Sequence, residues 1–218
     1  SLSAIIIGSS LGFRAVININ NMLILTGCIQ KQLLLGKKLF IAMVDFRKAF
    51  NFVNRNILFY KLLKSGFKGK VFNTVRSMYS KIKAKIKVGN WLYDWLVDAS
   101  GTNQGGPLSP NMFRKLLDDL RDFLDLECGI VINEETILVH MLWADDLILL
   151  ADTEEGLQKQ LNGLYSFVSK YQLIVNTLKT KVLIYGNVNT DEFKFTFNQQ
   201  EIEICDKYNY LGVIFNTV

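Results

Sequence analysis

The stretch ILVHMLWADDLILLAD, Ile137 to Asp152, decides how the rest of this chain is read. Two apolar runs, Ile137–Leu142 and Leu147–Leu150, flank Trp143-Ala144-Asp145-Asp146. Each run has the length of a strand, so together they read as a hairpin with two carboxylates at its tip. Half-buried anions are costly unless something compensates their charge. A divalent cation does so, and hard oxygen ligands favour Mg2+ or Mn2+ over zinc. The alternative is an exposed acidic turn.

The same pattern recurs upstream. LFIAMV, Leu39 to Val44, is a short apolar run that reads as a buried strand and ends on Asp45. A strand-end aspartate beside an Asp-Asp hairpin points to two-metal phosphoryl transfer, with Asp45, Asp145 and Asp146 as ligands of two Mg2+ or Mn2+ ions. Around these strands the spacing predicts helices over Asn21–Leu35, Asn54–Lys64, Val71–Tyr79, Asn111–Leu126 and Glu154–Leu173, the last capped by Thr153. Ile130–Ile132, Lys181–Tyr185, Phe193–Phe197 and Tyr208–Phe215 read as further strands, and Gly101–Pro110 as a loop.

The net charge of +5 conceals an asymmetry. Lys31–Asn90 carries 15 basic residues and one acidic residue, Asp45, whereas Trp91–Gln160 carries 4 basic and 14 acidic residues. A polyanion partner suits the first segment; two solvated faces that partly neutralise each other would also account for it. KIKAKIKV, Lys81 to Val88, alternates strictly, which puts Lys81, Lys83, Lys85 and Lys87 on one face of a strand. That row fits a nucleic-acid backbone, or an edge strand protected from aggregation.

With 218 residues and 50% apolar composition the chain is long enough for a substantial core and is not a disordered polymer. Cys28, Cys128 and Cys205 lie far apart and fit neither a disulfide framework nor a zinc site, so an intracellular location, nucleus and cytoplasm, is expected. The single histidine, His140, reads as structural. No apolar run is long enough to cross a membrane. The chain starts without methionine and reads as a fragment of a longer protein.

VDFRKAF (Val44–Phe50), NQGGPLSP (Asn103–Pro110), WADDLILLAD (Trp143–Asp152), NTLKTKV (Asn176–Val182) and YLG (Tyr210–Gly212) occur in that order. Together they resemble the ordered motifs of reverse transcriptases, in particular the polymerase domain of non-LTR (LINE-like, Jockey-type) retrotransposons. The resemblance runs from about Gly12 to the C-terminus.

It implies an α+β right-hand polymerase fold of fingers and palm, with an antiparallel palm sheet backed by helices and no thumb. The implied divisions are 1–39 partial fingers, 40–66 palm, 67–104 fingers, and 105–218 palm with a primer-grip hairpin. The implied activity is RNA-directed DNA polymerisation, which extends a primer 3′-hydroxyl with dNTPs on an RNA template. Asp45, Asp145 and Asp146 match the metal-binding aspartates, and Lys179 the lysine that protonates the leaving pyrophosphate, with Lys181 as second choice. Phe46 and Arg47 match backbone that cradles the triphosphate, and Phe50 the aromatic residue that excludes a ribose 2′-hydroxyl. Arg14, Gln104 and Gly105 match nucleotide contacts. Tyr210, Leu211 and Gly212 match the primer grip, and the lysine row would face the template-primer. The implied partners are RNA template, DNA primer and dNTPs, within a larger polyprotein and away from membranes.

Three departures stand against the pattern. Trp143 replaces a usual tyrosine, Asn51 a usual aspartate, and AVININN (Ala15–Asn21) a basic, hydroxyl-rich stretch. The last two, with the missing thumb, leave open an inert, retrotransposon-derived domain that binds nucleic acid or protein. The ordered motifs oppose a small structural domain unrelated to nucleic acids.

Overall fold

In the computed structural model LFIAMVD is an inner strand, buried from Leu39 to Val44 and half-buried at Asp45. The structure describes residues 13–47, 53–80, 83–84, 87–88, 90–92, 96–97 and 109–217. At 13–19, 80, 83, 84, 87, 88, 92, 96 and 97 it describes the backbone alone. The helices are α1 (Phe13–Leu34), α2 (Arg55–Lys64), α3 (Gly69–Ser80), α4 (Ser109–Leu117) and α5 (Glu154–Tyr171). The first strands are β1 (Leu39–Asp45), β2 (Lys83–Ala84), β3 (Lys87–Val88), β4 (Trp91–Leu92) and β5 (Leu96–Val97). They are followed by β6 (Ile130–Asn133), β7 (Thr136–Leu138), β8 (His140–Trp143), β9 (Asp146–Ala151) and β10 (Lys181–Tyr185). The last are β11 (Phe195–Phe197), β12 (Gln200–Ile204), β13 (Lys207–Tyr210) and β14 (Val213–Asn216). No helix among the described residues is long and apolar enough to cross a membrane.

The chain forms two compact units. The first takes the described residues up to Phe46, then Leu120–Phe167 and those from Val175 on; the second takes Arg47–Asp119 and Val168–Ile174. These bounds cut the chain differently from the fingers and palm ranges above. Residues of α1 share a core with the strands, so this helix belongs to the sheet unit.

The sheet of the first unit has the order β11-β12-β10-β1-β9-β8. Every pairing in it is antiparallel except β10 with β12, so the sheet is mixed rather than purely antiparallel. Side chains alternate across a strand. Leu39, Ile41 and Met43 of β1 therefore share one face with Ile148 and Leu150 of β9 and Leu183 and Tyr185 of β10. On that face they form a single core with Leu25, Cys28 and Ile29 of α1, Ile130, Met141, Tyr210 and Phe215. The alternation places Asp45 and Asp146 at the edge of this same face.

Helix ends follow their local chemistry. Gly36, at φ 65°, closes α1: its N–H donates to Leu33 O at 3.0 Å and that of Lys37 to Gln32 O at 2.9 Å. Lys31, in the last turn of α1, reaches Val131 O at 3.0 Å and Ile132 O at 2.8 Å, which pins the β6–β7 hairpin to the helix. Thr153 caps α5 as expected, with its hydroxyl oxygen accepting from Gly156 N–H at 3.1 Å.

The helix expected over Asn111–Leu126 stops at Leu117 and continues as a 3-10 turn, Asp118–Phe123. Two carboxylates, Asp118 and Asp119, meet the negative end of the helix there, and Lys61 of α2 captures both Leu116 O and Asp119. The strand expected over Tyr208–Phe215 is a hairpin, β13 and β14, folded at Leu211-Gly212. Of the expected lysine strand the described residues form β2, which pairs with β5, and β3, which pairs with β4.

Candidate active site

β1 pairs with β9 through Asp45 opposite Asp146. Both hydrogen-bonding groups of Asp45 point the other way: its N–H donates to Thr180 Oγ1 at 3.2 Å and its C=O accepts from Asn176 N–H at 2.8 Å. Asp45 and Asp146 are therefore a non-hydrogen-bonded pair, the closer of the two antiparallel arrangements, about 4.5 Å between Cα atoms. Like charges directly opposite one another are destabilising. The electrostatics register this: burial, the neighbouring Asp145 and the facing Asp45 push the Asp146 carboxyl up to about 6.

Asp145 occupies the turn of the β8–β9 hairpin, whose last pair is Trp143 opposite Asp146. The other turn residue, Ala144, has φ 53°, a left-handed conformation that favours glycine. Asp145 lies outside the ladder, so strand alternation does not aim its side chain as it aims Asp45 and Asp146. Among the described residues no three His, Cys, Asp or Glu side chains converge on a metal-holding arrangement. Asp45 and Asp146 thus stand as a cross-strand pair, with Asp145 beside them in the turn. The donor chemistry still suits a hard cation, because oxygen ligands whose charges repel are stabilised by one.

The field of this pair reaches two phenols of the β13 strand. Tyr208 and Tyr210 both titrate above the usual tyrosine range, through burial first and then the Asp146 charge. Tyr210 is 3% exposed and packs with Phe215 in the core. The ring is thus turned into the core rather than toward solvent. Leu211 (φ 51°) and Gly212 (φ 85°) make the two-residue turn, the type that suits a hairpin.

The segment after α5 is sewn to the end of β1. Phe46, 5% exposed, bridges to Val175, and Lys179 N–H and Thr180 N–H both donate to Asn176 O, at 3.1 and 2.9 Å. Lys179 is exposed, whereas Lys181 is held by Glu203 at 2.5 Å on the neighbouring strand. That ion pair leaves Lys179 as the available cation of the two. Arg47 N–H donates to Ile174 O at 2.8 Å, so this amide is already used and the exposed guanidinium remains for a ligand.

Arg14 lies in the first turn of α1, at a position where only the backbone is described, and Lys83 and Lys87 lie in β2 and β3 likewise. Phe50, Gln104, Gly105, Lys81 and Lys85 fall outside the described residues. Asn176, Thr180 and Tyr208 were missed as site residues. Asn176 and Thr180 lie in the quoted NTLKTKV motif, but nothing in an Asn or Thr at a turn shows which amide it will meet across the sheet.

Residues 4–215 match the family model for reverse transcriptase (RNA-dependent DNA polymerase), and the chain belongs to that family. It is 29% identical over 207 residues to a retrovirus-related Pol polyprotein from the type-1 retrotransposable element R2 of Nasonia vitripennis, covering 90% of this chain and 20% of that protein. It is 30% identical over 185 residues to the Pol polyprotein of the type-2 element R2DM of Drosophila melanogaster, covering 81% of this chain and 17% of that protein. The chain thus spans about a fifth of these relatives. Among solved structures it is similar to apo telomerase from Candida tropicalis, with a TM-score of 0.61 and 15% identity, covering 97% of this chain and 36% of that one. This likeness establishes the fold, the fingers and palm of a polymerase.

Proposed function

We propose that this chain is the catalytic core of an RNA-directed DNA polymerase that extends a primer 3′-hydroxyl with deoxynucleotides on an RNA template. The observation that carries this reading is the Asp45–Asp146 pair at the end of the central strands of a chain matched by the reverse transcriptase family. Asp45 and Asp146, with Asp145, would hold Mg2+ or Mn2+, two ions by the family pattern. When bound, the cations neutralise phosphate charge and acidify the attacking hydroxyl. Lys179, exposed on its turn, supplies a proton to the leaving pyrophosphate, and the Arg47 guanidinium meets the triphosphate. Phe50 guards the sugar, Arg14, Gln104 and Gly105 contact the nucleotide, and Leu211-Gly212 supports the primer. Lys81, Lys83, Lys85 and Lys87 face the template-primer backbone. The location is intracellular, in nucleus and cytoplasm.

The test is extension of a DNA primer on an RNA template with dNTPs and Mg2+ or Mn2+, comparing wild type with Asp146→Asn and Asp45→Asn. Extension that either substitution abolishes is the expected result. A second reading, a nucleic-acid-binding domain that does not polymerise, rests on Asn51 and on AVININN (Ala15–Asn21) in place of a basic, hydroxyl-rich stretch. Salt-sensitive binding of the hybrid with no extension in either metal would select that reading.

A further inference from the structure

Asp45, Asn176 and Thr180 form a closed circuit of hydrogen bonds. Asn176 N–H donates to Asp45 O at 2.8 Å, Thr180 N–H donates to Asn176 O at 2.9 Å, and Asp45 N–H donates to Thr180 Oγ1 at 3.2 Å. The position of this circuit is what gives it meaning. The β1–β10 ladder ends at Met43 opposite Lys181, and Asp45 lies just beyond that last pair. There the backbone of the partner strand turns away, so no carbonyl continues the ladder to receive the Asp45 amide. A side-chain oxygen receives it instead. Thr180 is fully buried, so water cannot replace that oxygen if the hydroxyl is lost.

We propose that Thr180 is a positioning residue, whose hydroxyl oxygen sets the backbone of Asp45 and ties the Lys179 turn to it. Lys179 N–H donates to the same Asn176 carbonyl at 3.1 Å, so the lysine is fastened to the circuit from within. The Lys179 backbone is therefore tied to that of Asp45 through four backbone amides and one hydroxyl. The second strand contact of Asp45 contributes differently. Its pairing with Asp146 is of the non-hydrogen-bonded kind, so the hydrogen bonds that restrain Asp45 come from the Thr180 side. This role in catalysis rests on the polymerase reading; the role in holding Asp45 does not.

Two measurements separate them. Thr180→Val keeps the shape and removes the acceptor, and Thr180→Ser restores it. In metal-free protein, hydrogen exchange followed by NMR should show the Asp45 amide exchanging at least about tenfold faster in Thr180→Val, with the Ile41 and Met43 amides unchanged and Thr180→Ser near wild type. In primer extension, Thr180→Val should lower kcat about tenfold with the KM for dNTP within about twofold, and Thr180→Ser should recover it. Should Thr180→Val fail to fold, Thr180→Ala removes the same acceptor without adding apolar bulk. An Asp45 amide that stays protected in the acceptor-less variants overturns the proposal. Wild-type protein that extends primers, with Thr180→Val equal to it, overturns the catalytic part. Wild-type protein that never extends sinks the polymerase reading alone, and the exchange result still decides the role of Thr180.

Discussion

The Lys61 ammonium lies 3.7 Å from the centre of the Tyr171 ring. The Tyr171 hydroxyl donates to Asp119 Oδ2 at 2.8 Å, and Lys61 reaches the same oxygen at 3.3 Å and the carbonyl of Leu116. The two charges respond to this cluster differently. Burial lowers the Lys61 pKa despite Asp119, because its side chain is only 4% exposed. Burial also works against ionised Asp119, but the Tyr171 hydroxyl and the Lys61 charge outweigh it and leave this carboxyl below its usual range. The lysine therefore bears the desolvation cost, and the network repays it only when complete. Asp119→Ala should destabilise the protein by about 3 kcal/mol. Lys61→Met in the same background should recover much of that loss, as urea midpoints of the two single variants and the double variant would show. Additive losses would mean that the three groups are not coupled.

Gly163 sits inside α5, where glycine costs about 1 kcal/mol relative to alanine. A Cβ there would lie 2.2 Å from Phe123 O and 3.5 Å from Leu124 Cδ2. The first contact is with backbone, which cannot rotate away. Gly163→Ala should therefore destabilise by roughly 1–3 kcal/mol, against its helix propensity. Thermal unfolding of the variant decides this, and an increase in Tm would show that the Phe123 carbonyl moves freely.

The elements most legible in sequence are those whose burial is intrinsic to their composition. β1, β9 and β10 are short apolar runs, and Asp45, Asp145 and Asp146 stand out because carboxylates interrupt them. What escaped depends on partners distant in sequence. The end of α4 at Leu117 is set by Lys61, some fifty residues earlier, and the acceptor for the Asp45 amide comes from Thr180, 135 residues later. The resemblance of YLG to the primer grip does not show where the Tyr210 ring points. That ring is drawn inside because the β13–β14 hairpin folds onto the same face of the sheet as α1.

Both hairpin tips beside the carboxylate pair carry a residue that resists its backbone. Ala144 and Leu211 have φ values of 53° and 51°, where non-glycine residues cost roughly 1 kcal/mol or more. Leu211 precedes Gly212, so Leu211→Asn would create the Asn-Gly pair that this turn prefers. Ala144→Gly and Leu211→Asn should each raise stability by about 1 kcal/mol, measured by chemical denaturation. Their effects on extension should differ. Ala144→Gly loosens the turn that carries Asp145, so it should lower the rate, while Leu211→Asn should leave it within about twofold. A fall in stability for either variant would mean that the replaced side chain packs well enough to offset the strain.

His140 and Asp146 give the fold opposite responses to acid. Burial, with the Arg121 charge behind it, holds the His140 pKa down to about 4 from 6.5. A histidine depressed in this way contributes stability that is complete above pH 6.5 and is lost as the pH falls toward 4, because the unfolded chain takes up the proton first. The full shift corresponds to a loss on the order of 3 kcal/mol. Asp146 is raised to about 6 from 3.8 by burial, Asp145 and Asp45. Its charge therefore destabilises the metal-free fold above pH 6, and protonation relieves that cost between pH 6 and 4. Over the same two pH units the two groups act against each other. His140→Leu should gain stability relative to wild type as the pH is lowered from 7 to 4. Asp146→Asn should be more stable than wild type at pH 7 in EDTA, with an advantage that disappears by pH 4. Denaturant titrations at pH 7, 5.5 and 4 test both slopes at once. Parallel curves for His140→Leu and wild type would show that His140 protonates as easily in the fold as in the open chain.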